Sequence, residues 1–464
     1  MKRRTFGLLA GSSMAALNAG RPALAQSAPA STLGAGLTPM GSEQAGNEDG
    51  SIPAWTGGMT TLPAGLQPND YVPELFPNEQ PVVVIDSSNM AEYAPMLAEC
   101  VMALMTKYGF KIKVYPTHRT AAMPQYVYDN IAKNNGNARF VKRDPVGGRF
   151  GFENAYGGIP FPVPDVSDPL VGGAQIMNNF IGAWYGFCYK VENAAWIVSN
   201  GQMVEGDNNQ PAYYKRPYYD PNGSLAAYDG RLSIELFPFT APPNLQGQQL
   251  LAWFFSDTSN EPSAVWELLN GQGRVRRAPE VAFDTPSSEV NGVCNYDEYN
   301  GFDGSMERYD WKCLGKKEMY IPYNNNGLYA ASAQNAHLEH FMDPDLVRWE
   351  KHRCWVVEAT LHPGQRNVLV RRRFYVDEDT WLVCTADVWD ANDNLVRANF
   401  VYNNCRPDLP GTIFGNGSIH NLQTGNWAST GGPWDQTTAP QWTFVDDMPD
   451  SMFDPTNMAA AAQY

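Results

Sequence analysis

The spacing of apolar residues divides the chain into two styles. From about 188 to 403 the period is two. RLSIELF places Leu232, Ile234 and Leu236 on one face, and LLAWFFS does the same for Leu251, Trp253 and Phe255. RCWVVEATL aligns Trp355, Val357, Ala359 and Leu361 and turns Val356 the other way. HPGQ, DEDT and DANDN then separate further runs at the spacing of an antiparallel meander.

Before about 185 the pattern is helical and broken by loops. NMAEYAPMLAECVMALMTKYG reads as helix interrupted at Pro95, and MPQYVYDNIAKNNG as a helix that stops at Gly136. GGIPFPVPD can only be loop. After it, DPLVGGAQIMNNFIGAWYG sets Leu170, Ile176, Met177, Phe180, Ile181 and Trp184 mostly along one stripe, so this helix has something apolar to lie against. The fold class predicted is α+β, with one large curved antiparallel sheet wrapped over helices. Residues 26–464 form a single large domain in this reading: 26–185 helical and loop-rich, 186–403 sheet, and 404–464 a Gly/Asn/Pro-rich loop tail packed on it.

The first 25 residues belong to none of this. Lys2, Arg3 and Arg4 precede a short apolar run, and Ala23-Leu24-Ala25 forms an A-x-A cleavage site, so 1–25 reads as a signal peptide with a mature start near Gln26. Arg3-Arg4 adds a twin-arginine flavour. No cysteine stands at the cleavage point for a lipid anchor. The expected compartment is the periplasm. Loss of a leader carrying Lys2, Arg3, Arg4 and Arg21 takes the net charge from −16 to −20, which repels phosphate backbones and argues against a nucleic-acid partner. Seven cysteines in an oxidising compartment allow bridges, and Cys294 with Cys313 is the pair expected first. Small apolar roles in strands suit Cys354 and Cys384 equally well.

Candidate chemistry is thin. Asn47, Glu48, Asp49 and Gly50 suggest a calcium loop, but Ala45 and Thr56 stand where ligands are needed. The stretch is better read as shaping the chain, with Thr38 capping a short helix that starts at Pro39. His337 and His340 fit no zinc motif; with Asp343 and Asp345 downstream they could still ligate zinc weakly, but a solvated helix face is the better reading and no metal is expected. Ser418 misses the nucleophile elbow because His420 replaces the second glycine. Asp377, Glu378 and Asp379 fall in a hairpin turn, where such side chains satisfy the backbone. No phosphate loop, cofactor motif or reaction emerges.

Three strings are more distinctive: Gly46 to Gly58, VRRAPEVAFDTP from Val275, and YDWKCLGKKEMYIPYN from Tyr309. They resemble the "GNxDGxIPxWxGG", "VRRAPxVAxDTP" and "YDWKxxGKKExYxPYN" strings of an uncharacterised periplasmic family grouped with outer-membrane lipoprotein-sorting proteins. The resemblance runs over nearly the whole mature chain. It implies a Lol-type fold, an unclosed antiparallel barrel over helices with an apolar interior for acyl chains. It also implies accessory work beside RND-type transporters or another outer-membrane partner, with no agreed enzymatic activity. A carrier makes physical sense, because each exposed methylene of a lipid costs about 0.8 kcal/mol in water. Ile234, Leu251, Trp253, Phe255, Trp355, Val357 and Leu361 are the expected lining of one shared cavity, and Arg276 and Arg277 the expected contacts for a headgroup or partner. The alternatives are a non-catalytic adaptor of an export complex and a sugar-binding or hydrolytic protein.

Overall fold

The computed structural model describes residues 33–461 apart from 142–149, 207–210, 241–242, 244–245, 259–262, 270–272, 278–283, 305, 433 and 436–441. The expected leader and its cleavage point lie outside the described residues. The N-terminal part contains β1 (Val83–Ile85), α1 (Met90–Tyr93), α2 (Glu99–Tyr108), β2 (Ile112–Val114), α3 (Gln125–Asn134), the hairpin β3 (Arg139–Val141) and β4 (Gly151–Glu153), and α4 (Pro169–Ile181). Strands then follow: β5 (Cys188–Glu192), β6 (Ala195–Ser199), β7 (Gln202–Glu205), β8 (Pro211–Lys215), β9 (Arg231–Pro238), β10 (Gln249–Phe255), β11 (Ala264–Leu268) and β12 (Val275–Arg277). Next come β13 (Tyr309–Pro322), α5 (Ala333–Ala336), β14 (Trp349–Leu361), β15 (Leu369–Asp377), β16 (Val383–Asp390) and β17 (Leu395–Arg406). The chain closes with β18 (Gly411–Asn421), β19 (Trp427–Gly431), β20 (Trp442–Val445) and α6 (Met458–Ala461).

The larger sheet is open and runs β13-β14-β15-β16-β17-β18-β19-β6-β7 with every neighbour antiparallel. The β1–β2 pair joins it where Val114 lies beside Trp349, a single parallel contact. A second sheet of seven strands is ordered β12-β11-β10-β9-β8-β5-β20. The expected meander is therefore present, with its strands shared between two sheets. The division falls at residues 193–194, where the chain leaves β5 in the second sheet and enters β6 in the first.

Both faces of the large sheet are covered. On β14, Val357 and Ala359 join the cluster around α4, while Cys354 and Val356 join the one around α2. α2 contributes Cys100, Val101, Leu104 and Met105 to that second cluster. Its N-terminus is held by the buried carboxylate of Asp387, which accepts from the Cys100 amide at 2.7 Å and the Glu99 amide at 3.3 Å. Pro95 breaks this region as its sequence predicts, leaving a four-residue helix, a 3-10 turn and then α2.

Two expectations are corrected. Residues 404–464 are not a loop tail, since they supply the end of β17 and all of β18, β19 and β20. Gly415 and Gly417 hide the alternation in β18, where Ile413 and Ile419 are buried. A side chain at Gly415 would stand 2.5 Å from the Tyr402 carbonyl, so the strand needs glycine there. Nor does a helix start at Pro39. Thr38 and Ser42 close a turn instead, with the Thr38 amide donating to the Ser42 carbonyl at 2.8 Å. No described helix is long and apolar enough to cross a membrane.

Candidate functional site

α4 lies in the hollow of the large sheet and approaches it through glycine. A β-carbon on Gly173 would come within 2.6 Å of the Trp311 carbonyl on β13, so backbone rests on backbone. The C-terminal end of α4 is tied down firmly. The fully buried Arg216 donates to the carbonyls of Ala183 at 2.6 Å and Ile181 at 3.2 Å, a cation at the helix end that favours one. Asn179 exchanges hydrogen bonds with the backbone of Phe161, and Trp184 donates to the Pro410 carbonyl at 2.9 Å.

The N-terminal end of α4 is different. Asp168 caps it through the amides of Leu170 and Val171, but Leu170 is 55% exposed. An apolar cleft of about 210 Å³ opens here. Leu170, Val171 and Ala174 form one wall, Phe140 and Phe150 a second, and Tyr309 and Trp311 of β13 a third, with Asp168 and Asp310 beside them. Phe150, Ala174, Tyr309 and Trp311 belong to the largest apolar cluster among the described residues, so the cleft leads from solvent to that core.

The structure does not gather the expected lining into one space. Trp355, Val357 and Leu361 lie with the α4 cluster, and Leu361 stands directly opposite Tyr309 at the cleft. Ile234, Leu251 and Trp253 belong to the second sheet and pack with Met448, Phe453 and Met458 from the C-terminal segment. Trp253 meets Trp266 edge-on at 4.8 Å between ring centres and donates to the Phe453 carbonyl at 3.3 Å. Phe255 lies past a register shift at Phe254/Phe255, so the simple alternation ends before it. Arg276 and Arg277 are exposed on the edge strand β12, and Arg276 reaches Glu267 at 3.2 Å. The expected Cys294–Cys313 bridge is absent: all seven cysteines are buried thiols, with Cys294 packed against β6 and β18 and Cys313 in the α4 cluster.

Sequence reasoning missed a buried charge network around the β15–β16 turn. Asp377 does satisfy its turn, accepting from the Thr380 amide at 2.9 Å and hydroxyl at 2.7 Å. Asp379 instead takes a two-pronged contact from the buried Arg119, at 2.8 and 2.7 Å. Glu378 accepts from Lys316 at 2.7 Å and Arg353 at 3.4 Å, and Lys316 reaches on to Glu43 at 2.9 Å. Lys351 pairs with Glu318 and with Asp49, while Asn47 also touches Glu318. The first and third of the distinctive strings thus dock on one patch of sheet. Their glycines fit this reading, since a β-carbon on Gly58, whose φ is 70°, would lie 2.1 Å from the Ala121 carbonyl.

His352, Asp377 and Asp379 are the one described group with spacing suited to a metal ion. Its chemistry favours ion pairing instead. Both Asp379 oxygens are engaged by Arg119, which, against the opposing effect of burial, holds that carboxyl below its usual range. Burial raises Asp377, with the His352 charge opposing. His337 and His340 do not form a pair: His337 bonds to Ala333 and Ser429, His340 to Gly425, and Asp345 is taken by Lys111 and Lys113.

An open antiparallel sheet with a helix in its hollow defines the structural class of the protein. The chain belongs to the family described as proteins of unknown function, DUF1329, whose model matches residues 84–459. It is 34% identical over 388 residues to Uncharacterized protein PA3922 of Pseudomonas aeruginosa, covering 79% of each chain. Among solved structures it is similar to a DUF1329 family protein from Desulfovibrio piger, at 15% identity over 63% of this chain and 99% of that one, with a TM-score of 0.42. A LolA superfamily protein from Nitrosomonas europaea matches at 10% identity over 61% and 97%, with a TM-score of 0.35.

Proposed function

We propose that the protein is an exported, periplasmic carrier that binds a lipid acyl chain or another hydrophobic molecule beneath the N-terminal end of α4. The observation that carries this reading is the apolar cleft leading inward between α4, β13 and the β3–β4 hairpin. At about 210 Å³ it falls short of the roughly 300–1,000 Å³ typical of ligand pockets. A full chain therefore requires the first turns of α4 to lift, and the anchoring is asymmetric in the sense this needs. Arg216, Asn179 and Trp184 hold the far end, while Leu170 faces water. The family resemblance supports a place beside an RND-type transporter, to which cargo would be passed or from which it would be received.

The test is titration of an 11-(dansylamino)undecanoic acid probe against the mature protein, Leu170→Glu and Val171→Glu. Neither position is buried, so both variants should fold. Each charge should weaken probe binding by about ten-fold or more, equivalent to about 1.4 kcal/mol. Unchanged affinity in both variants, with unchanged melting, would remove the cleft as the cargo site.

A further inference from the structure

We propose that a second cleft, beside α3 and lined by amide and basic side chains, is a binding site for a polyhydroxylated anion, a sugar bearing a carboxylate or a phosphate. This goes beyond the hydrophobic-cargo reading and stands or falls separately from it. The cleft has a volume of about 450 Å³, within the size range of small-molecule sites. Asn130, Lys133 and Asn134 of α3 form one side, Arg139 and Asn154 of the β3–β4 hairpin region a second, and residues 223–225 a third. Among the described residues no carboxylate lines it, in a chain whose net charge is −16.

Part of the wall is fixed and part is uncommitted. The buried Asn134 accepts from the Tyr156 amide at 3.0 Å and donates to the Gly158 carbonyl at 3.0 Å, which makes the floor rigid. Tyr156 in turn donates to the Asp220 carbonyl at 2.8 Å and ties the third side to the first. A β-carbon on Gly223 would stand 1.9 Å from the Tyr156 hydroxyl, so glycine permits that approach. By contrast, the side chains of Arg139, Asn154 and Ser224 make no hydrogen bond to any described residue. Lys133 makes one, to Asn130 at 3.0 Å, and keeps two further N–H groups. Asn154 sits at a φ of 58°, a left-handed position that Asn tolerates.

The chemistry of the ligand follows from this inventory. Guanidinium and ammonium donors stand beside amides and a hydroxyl that can either donate or accept, so the partner that fits is negatively charged and hydroxylated. The C-terminal end of α3 works against an anion, but three of its carbonyls are already bonded. Asn135 takes the Ile131 carbonyl, Ala138 and Asn137 share that of Asn134, and the Asn137 side chain takes that of Lys133. The Arg139 fork suits a carboxylate or phosphate, and the amides and hydroxyl suit ring oxygens and hydroxyls around it.

Isothermal titration of the mature protein with glucose, glucuronate, glucose 1-phosphate and inorganic phosphate tests this. Glucuronate or glucose 1-phosphate should bind about ten-fold or more tightly than either glucose or inorganic phosphate, and the tighter of the two names the anion. A Lys133→Glu/Arg139→Glu variant, changed at two exposed positions, should lose that binding while its melting temperature and its acyl-probe affinity stay unchanged. Asn154→Ala should weaken it a few-fold. Failure of both sugar anions to bind at about millimolar concentration would overturn the proposal. So would equal binding of inorganic phosphate, or full binding by the double variant.

Discussion

Asp379 and Arg119 show what a residue's neighbours in sequence conceal. Acids in a tight turn ordinarily bond to their own backbone, and Asp377 follows that rule. Asp379 does not, because its partner lies 260 residues away and no local pattern announces it. Both side chains are 2% exposed or less, so removing one leaves the other charged and uncompensated. Arg119→Met should cost about 3–5 kcal/mol, read as a shift in the urea unfolding midpoint. Arg119→Met/Asp379→Leu should recover much of that loss, since the pair itself earns little over apolar packing. A single variant as stable as the wild type would mean the network has slack that the geometry does not show.

At the level of elements, the helices between 90 and 181 were legible, while the helix expected at Pro39 and the strand partition were not. Pro95, Gly136 and the 169–184 stripe mark α1 to α4 because those signals are local. Which sheet a strand enters depends on distant pairing, and Gly-rich β18 carries too few apolar residues to declare itself. The β18–β19 hairpin also builds something no motif search finds. Trp427 is stacked between His337 and His420, with ring centres 5.1 and 5.2 Å away. Burial lowers both imidazoles to about 4. The unfolded chain takes up these protons near 6.5, well before the folded one, so their stabilising contribution is lost as pH falls from about 6.5 to 4. Glu235 works in the opposite direction: burial, and then Asp303, raises it to about 8, so its protonation stabilises the fold as pH falls below that value. Only a difference measurement separates these effects. Between pH 6.5 and 5, melting temperature should fall more steeply in the wild type than in His337→Gln/His420→Gln. Parallel curves would show that the two histidines titrate alike in both states.

On the scale of the whole molecule, the question is which of two sheets serves a cargo. From the period-two pattern, Trp253 and Trp355 share one cavity, so Trp253→Gln should weaken acyl binding at little cost in stability. The two-sheet structure reverses that expectation. Trp253 packs against Trp266, lies beneath the Arg231 guanidinium at 4.9 Å and is closed over by the segment carrying Phe453. Those contacts are all within the second sheet and the C-terminal segment, whereas Leu361 and Val357 lie in the cluster around α4. Trp253→Gln should therefore lower the melting temperature, at a cost of about 2 kcal/mol, and leave probe affinity unchanged. Leu170→Glu should do the converse. The two variants form a crossed test, because general loosening of the fold would weaken binding in both, while a site under α4 weakens it in one. Loss of binding confined to Trp253→Gln would move the cargo into the second sheet and leave α4 as a permanent part of the core.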